Sequence, residues 1–132
     1  TRLTEENAQE IISQYDIVVD GCDNFSTRYL INDICAEMGK VYVYGAICSF
    51  EGQVSVFHYG EEKKSYRDLY PDEEEMKRMP PPSKGVMGIT PAVTGSIEAT
   101  EVLKIICGFG DILAGKLWTI DLRTLQSNKF SL

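Results

Sequence analysis

Histidine is almost missing from this 132-residue chain, and the one present, His58, lies in a strand-like run without cysteine or carboxylate company. A lone histidine so placed reads as structural, not as a metal ligand. Cysteine is sparse and scattered. Cys22, Cys35, Cys48 and Cys107 include no close pair, which excludes a zinc knuckle and a Cys-x-x-Cys redox motif. Their apolar contexts predict buried free thiols in a reducing cytoplasm. Positive charge is also short. Thirteen Lys and Arg stand against 20 Asp and Glu, a net charge of −7. That balance argues against nucleic-acid backbones and anionic membranes, which need basic patches. No apolar run approaches the roughly 20 residues that span a bilayer. The first residues, Thr1-Arg2-Leu3-Thr4-Glu5-Glu6, lack the basic-then-apolar order of a signal peptide. They also lack a starting Met, so the expectation is a chain that begins inside a longer protein. There is no internal repeat and no low-complexity linker. What remains is one domain by length, with 43% hydrophobic residues to build a core.

The chain is organised around Asp16-Ile17-Val18-Val19-Asp20-Gly21-Cys22-Asp23-Asn24. β-Branched residues crowd a helical backbone and suit a pleated one, so Ile17–Val19 predicts a brief, fully buried strand. Such strands belong to parallel sheets, and open α/β sheets bind ligands at the carboxyl ends of those strands. Asp20, Asp23 and Asn24 stand at that end. Two acids and an amide suit a metal ion, a phosphate-bound magnesium or a ribose. They equally suit a turn closed by Asp and Asn side chains.

Around this stretch the periodicities alternate. Thr4 precedes acids that favour a helix start, and Ala8, Ile11, Ile12 and Tyr15 follow at helical spacing, predicting a helix from about residue 5 to 14. After the Asn24 turn, Ser26 or Thr27 can cap a second helix with Leu30, Ile31, Ile34, Cys35 and Met38 on its apolar face and Gly39 as its stop. A strand at Val41–Gly45 completes a βαβ unit. Alternation through Gln53–His58 predicts a half-exposed antiparallel strand. Residues 60–84 lose periodicity and read as a long crossover loop, functional or mobile. It contains the acidic run Asp72–Glu75, expected to be solvated, and Pro80-Pro81-Pro82, expected to be stiff and extended. A third helix is predicted from about Pro91 to Cys107. Val93, Ile97, Val102, Leu103, Ile106 and Cys107 form its apolar surface, and Ala92, Gly95, Ser96 and Ala99 allow close packing on a sheet. A hairpin closes the chain, Leu117–Leu122 with Gln126–Leu132. The fold class is therefore α/β, a partial Rossmann-like, doubly wound mixed sheet with helices that ends in antiparallel strands.

Several stretches in this order resemble the ThiF/MoeB/HesA family of adenylating enzymes, relatives of ubiquitin-activating enzymes. They are Asp16–Asn24 with Arg28 downstream, Gly45-Ala46 before Glu51-Gly52-Gln53-Val54-Ser55-Val56-Phe57, and Tyr66-Arg67-Asp68-Leu69-Tyr70-Pro71. The series continues with Gly85-Val86-Met87-Gly88, then Pro91, Gly95-Ser96-Ile97-Glu98-Ala99-Thr100-Glu101 and Lys104. The resemblance covers nearly the whole chain and implies the carboxyl-terminal part of a ThiF-like adenylating domain over residues 1–132. It implies ATP and magnesium as cofactors in the full-length parent and a homodimer. The partner it implies is a ubiquitin-like sulfur-carrier protein, whose C-terminal glycine is adenylated in the thiamine or molybdopterin type of pathway. On it, Asp23 matches the magnesium-binding aspartate and is the catalytic candidate. Asn24 and Arg28 match neighbouring cofactor-binding positions, and Arg28 can also pair with an acid to hold the turn. The loop at 60–84 becomes a strap over the carrier's tail, with Gln53, Val54 and Val56 lining a docking surface or packing in the core.

The departures are as informative. Ser65 and Asp68 replace the thiols of a Cys-x-x-Cys that is half of a zinc site in near relatives, and no second pair follows, so no zinc is expected. Pro81 stands where many relatives carry a reactive cysteine, which removes thioester or acyl-disulfide chemistry there. The family's Gly-rich phosphate loop and phosphate-binding Arg and Lys are not in this chain, so the fragment alone is expected to be inactive and to bind ATP poorly. A non-catalytic module that docks a ubiquitin-like protein or its own copy is the alternative. A nicotinamide-dependent oxidoreductase is weaker, for want of a Gly-rich fingerprint or a Tyr-Lys pair.

Overall fold

The computed structural model describes residues 1–80 and 85–132. The elements run α1 (Ala8–Ser13), β1 (Ile17–Val19), α2 (Phe25–Met38), β2 (Val41–Cys48), β3 (Glu51–Phe57), α3 (Tyr66–Leu69), α4 (Glu73–Arg78), α5 (Ile89–Cys107), β4 (Lys116–Asp121) and β5 (Gln126–Ser131). The five strands form one sheet in chain order. β1 and β2 are parallel and joined through α2, while β2, β3, β4 and β5 follow as antiparallel neighbours. The mixed α/β architecture, with helices on both faces of the sheet, is the one the periodicities predict. The two-residue pleat sends Tyr42 and Tyr44 to one face, with α1, α2 and α3, and Val43 to the other, with α5.

Each end of α2 has its cause in the sequence. Asn24, not Ser26 or Thr27, is the cap: its side-chain oxygen accepts from the Thr27 amide at 2.8 Å. Gly39 stops the helix in the left-handed region, φ 64°, where a Cβ would be strained. α1 is shorter than the spacing predicts, because residues 5–7 form a turn whose Asn7 carboxamide accepts from the Thr4 amide.

Four expectations are corrected. β1 is not fully buried: it is the edge strand, and Val19 is 48% exposed. β3 is buried on both faces: α5 covers Val54 and Val56, and the side that its polar residues Gln53 and Ser55 suggested was wet lies, with Phe57, under the α2–α3 layer. Ser55, one of those polar residues, donates to the Lys116 carbonyl at 2.7 Å. The crossover segment is not a structureless loop, since it carries α3 and α4. There the acidic run has a structural part: Asp72 caps α4 through the Glu75 amide, and Glu73 bridges Arg67 and Lys77. The thiols are all free, but only Cys35 is fully buried, and Cys48 and Cys107 are exposed. The expectation for the proline run falls at Pro81 and Pro82, outside the described residues.

The largest difference is in α5. Its buried residues are Thr90, Thr94, Glu98 and Glu101, and its small residues Ala92, Gly95, Ser96 and Ala99 face outward. Close packing comes instead from glycines on the strands. A Cβ on Gly45 would lie 2.2 Å from Glu98 Cδ, and one on Gly52 would lie 2.2 Å from Thr94 Oγ1. The glycine gaps in β2 and β3 thus admit two polar side chains of the helix. Both Glu98 Oε1 and Thr94 Oγ1 are buried without a partner among the described residues. Unpaired burial raises the Glu98 pKa to about 8, with the nearby Asp20 charge adding to it and Arg28 opposing it.

Candidate functional site

The tip of β1 is held from beneath by one buried ion pair. The Asp20 amide donates to the Val43 carbonyl at 2.9 Å, so the backbone follows β2 one residue past the strand. The Asp20 carboxylate accepts from three groups: the Cys22 amide at 2.8 Å, Arg28 Nε at 3.0 Å and the Tyr42 hydroxyl at 2.8 Å. Arg28, one turn into α2, also donates through Nη2 to the Cys22 carbonyl at 2.7 Å. Both side chains are almost wholly buried, at 9% and 0% exposure for Arg28 and Asp20. Burial alone would disfavour the guanidinium, but the adjacent Asp20 charge outweighs it and holds Arg28 above its ordinary range. Removing one partner of such a pair strands a buried charge. The turn 21–24 is therefore pinned at its start by Asp20, at its middle by Arg28 and at its end by the Asn24 cap.

That pinning presents Asp23 to solvent. Its carboxylate accepts only a 3.2 Å bond from the Asn24 side-chain amide among the described residues. Asp23, Asn24 and Thr27 line an open cleft of about 430 Å³ with Arg2, Leu3, Val19 and Cys22. The cleft lies outside the carboxyl end of β1, where open α/β sheets take ligands. Cys22, in the same turn, is not an activated nucleophile: burial, then the Asp20 charge, pushes its pKa up to about 12.

The three residues singled out from sequence come together here in different ways. Asp23 faces the cleft, Asn24 caps the helix beside it, and Arg28 lies beneath the turn as the partner of Asp20. Sequence reasoning left Asp20 as a strand-end residue and did not pair it with Tyr42. The spacing Asp20–Arg28 was the signal, since an acid before a turn and an arginine in the first helical turn can meet.

For a metal, no group of three or more His, Cys, Asp or Glu is close enough to hold an ion among the described residues. One exposed carboxylate is nevertheless what a magnesium ion brought by a nucleotide requires, because it keeps phosphate and water ligands. The zinc positions are otherwise engaged. Ser65 Oγ accepts from the Arg67 amide and Asp68 accepts from the Ser65 amide at 2.7 Å, a reciprocal cap on α3. Asn32 anchors the same segment to α2, its side-chain oxygen accepting from Ser65 Oγ at 3.1 Å and the Tyr66 amide at 2.9 Å, with His58 Nε2 at 3.0 Å.

The model of the ThiF family matches residues 1–132. A probable molybdopterin-synthase adenylyltransferase of Pyropia yezoensis is 48% identical over 134 residues, covering 100% of this chain and 35% of that protein. A sulfur carrier protein adenylyltransferase of Thermus thermophilus is 49% identical over 131 residues, covering 91% of this chain and 46% of that protein. Escherichia coli MccB, crystallised with ATP, shares the fold at a TM-score of 0.70 with 16% identity, over 98% of this chain and 40% of that one. The chain thus spans between a third and a half of the length of these relatives.

Proposed function

Because the chain belongs to the ThiF family, we propose that it forms one wall of an ATP-dependent adenylylation site in a longer protein, acting on the C-terminal glycine of a ubiquitin-like sulfur carrier. The observation that carries the reading is the pinned turn, which leaves Asp23 as the exposed acid at the strand tip. Attack of a carboxylate on the α-phosphate of ATP gathers negative charge, and a magnesium ion supplies the neutralisation when it is bound. Asp23 is the residue of this chain that would hold it. Asn24 caps α2, whose N-terminal residues Asn24 and Thr27 line the cleft. Arg28 acts from below by keeping the turn rigid, and its contact with the nucleotide is through that turn. The segment with α3 and α4 serves as the strap over the carrier's tail, without zinc at Ser65 and Asp68. Two copies form the assembly, in a reducing compartment such as the cytoplasm, which the exposed free thiols Cys48 and Cys107 suit. The pathway is of the thiamine or molybdopterin type.

ATP–pyrophosphate exchange by the full-length protein tests this. Asp23→Ala is expected to lower exchange at least about 100-fold with no loss of thermal stability, since the side chain is exposed. Exchange within a few-fold of the unmutated protein refutes the assignment and favours a non-catalytic docking module.

A further inference from the structure

α2 carries two loads. Its first turn lines the cleft through Asn24 and Thr27. Its next turns seat the segment that holds α3 and α4. Tyr29, Asn32 and Asp33 share one face of the helix, and each reaches that segment. The Tyr29 hydroxyl donates to the Tyr70 carbonyl at 2.7 Å. Asp33 accepts from Arg67 Nε at 2.8 Å and Nη2 at 2.6 Å. Asn32 Oδ1 accepts from His58 Nε2 at 3.0 Å, the Ser65 hydroxyl at 3.1 Å and the Tyr66 amide at 2.9 Å. The Asn32 side-chain amide donates to Asp33 Oδ1 at 3.0 Å, which turns its oxygen to the three donors.

The segment depends on these ties. α3 and α4 have four and six residues, well under the roughly 12–15 that hold a helix in water by themselves. α4 buries none of its residues. Tyr66 is wholly buried, with its ring centroid 4.9 Å from that of Tyr29 and 5.2 Å from that of Tyr44. Apolar contact is non-directional, and the Tyr66 hydroxyl has no partner among the described residues. Packing therefore sets the depth of α3, while its register falls to the polar ties. Those ties are unequal. The Arg67 and Asp33 side chains are 40 and 46% exposed, and a pair so open to water contributes little. Tyr29 holds only the residue after α3. Asn32 is 1% exposed, and removing its oxygen takes one acceptor from three donors inside the fold.

We propose that Asn32 is a positioning residue for the carrier: it registers α3 on α2, so that the α3–α4 segment is formed before the carrier's tail arrives. The proposal rests on the adenylylation reading, in which that segment lies over the tail. A strap already in place spares binding the cost of ordering it, so the anchor acts on carrier affinity. The turn bearing Asp23 is pinned separately, by Asp20, Arg28 and the Asn24 cap, so ATP is left alone.

The test uses the full-length protein, with a recombinant ubiquitin-like sulfur carrier ending in glycine as the probe. In ATP–pyrophosphate exchange, Asn32→Ala is expected to raise the KM for the carrier at least about 10-fold, with kcat and the KM for ATP within about two-fold. Without the carrier, amides of residues 65–78 should exchange at least about 10-fold faster with solvent, while those of β2 and β3 keep their protection. Asn32→Asp still accepts all three bonds, and Asp33 keeps Arg67, so the carrier KM should return to within a few-fold. If Asn32→Ala does not fold, Ser65→Ala, at a half-buried position, removes one donor and should raise the carrier KM about three-fold with that for ATP unchanged. Unaltered amide exchange over residues 65–78, equal rises in the two KM values, or no recovery in Asn32→Asp overturns the proposal. Loss of exchange activity in every form, the unmutated protein included, overturns instead the adenylylation reading. The amide measurement needs no substrate and still decides for or against the anchor.

Discussion

Replacing Arg28 by leucine keeps most of the aliphatic volume of the side chain and removes the only cation facing Asp20 among the described residues. The carboxylate then stays in the interior with two donors, the Tyr42 hydroxyl and the Cys22 amide. Breaking a buried pair in this way costs about 3–5 kcal/mol. For a 132-residue domain that lowers the thermal midpoint by about 11–18 °C. Asp20→Asn in the same molecule should return part of the lost stability at neutral pH, because a neutral amide needs no cation. Thermal unfolding followed by circular dichroism, across the four members of the double-mutant cycle, measures both. A loss under about 1 kcal/mol for Arg28→Leu, or no coupling between the two sites, would refute the claim that this pair holds the turn.

Glu98→Gln tests the carboxyl under α5. The folded pKa of about 8 is raised above the unfolded value, so the folded state binds the proton more tightly and stability falls as pH rises toward 8. The variant should remove that slope and be more stable above pH 8 by a few kcal/mol at most. Urea midpoints at mildly acid and mildly alkaline pH check it, and parallel pH dependence in the two proteins counts against a buried protonated Glu98. The thiols should separate by reactivity. Cys48 and Cys107 are exposed and should react quickly with a thiol-specific reagent. Cys22 and Cys35, both with pKa raised to about 12 chiefly by burial, should react only on unfolding. Rapid modification of Cys22 in the folded protein would show that the turn opens.

What the sequence determined by itself is local. The β-branched run at Ile17–Val19, the Asn24 cap, the Gly39 and Gly108 stops and the final hairpin each follow from the residues at those positions, because backbone sterics and side-chain-to-backbone bonds act over a few residues. The strand tip with Asp23 was legible for the same reason. What only tertiary structure decided is which face each element turns inward. Hydrophobicity alone assigned α5 its apolar side as the buried one. The glycine gaps at Gly45 and Gly52 divided it, because Glu98 and Thr94 fit where no Cβ stands, beside Ile97 and Val102, which do pack on the sheet, while Leu103 and Ile106 stay exposed. Likewise β1 became an edge, β3 became central, and Arg28 went beneath the turn to Asp20. Sheet order and the meeting of groups far apart in the chain are set by long-range packing, which no window of residues contains.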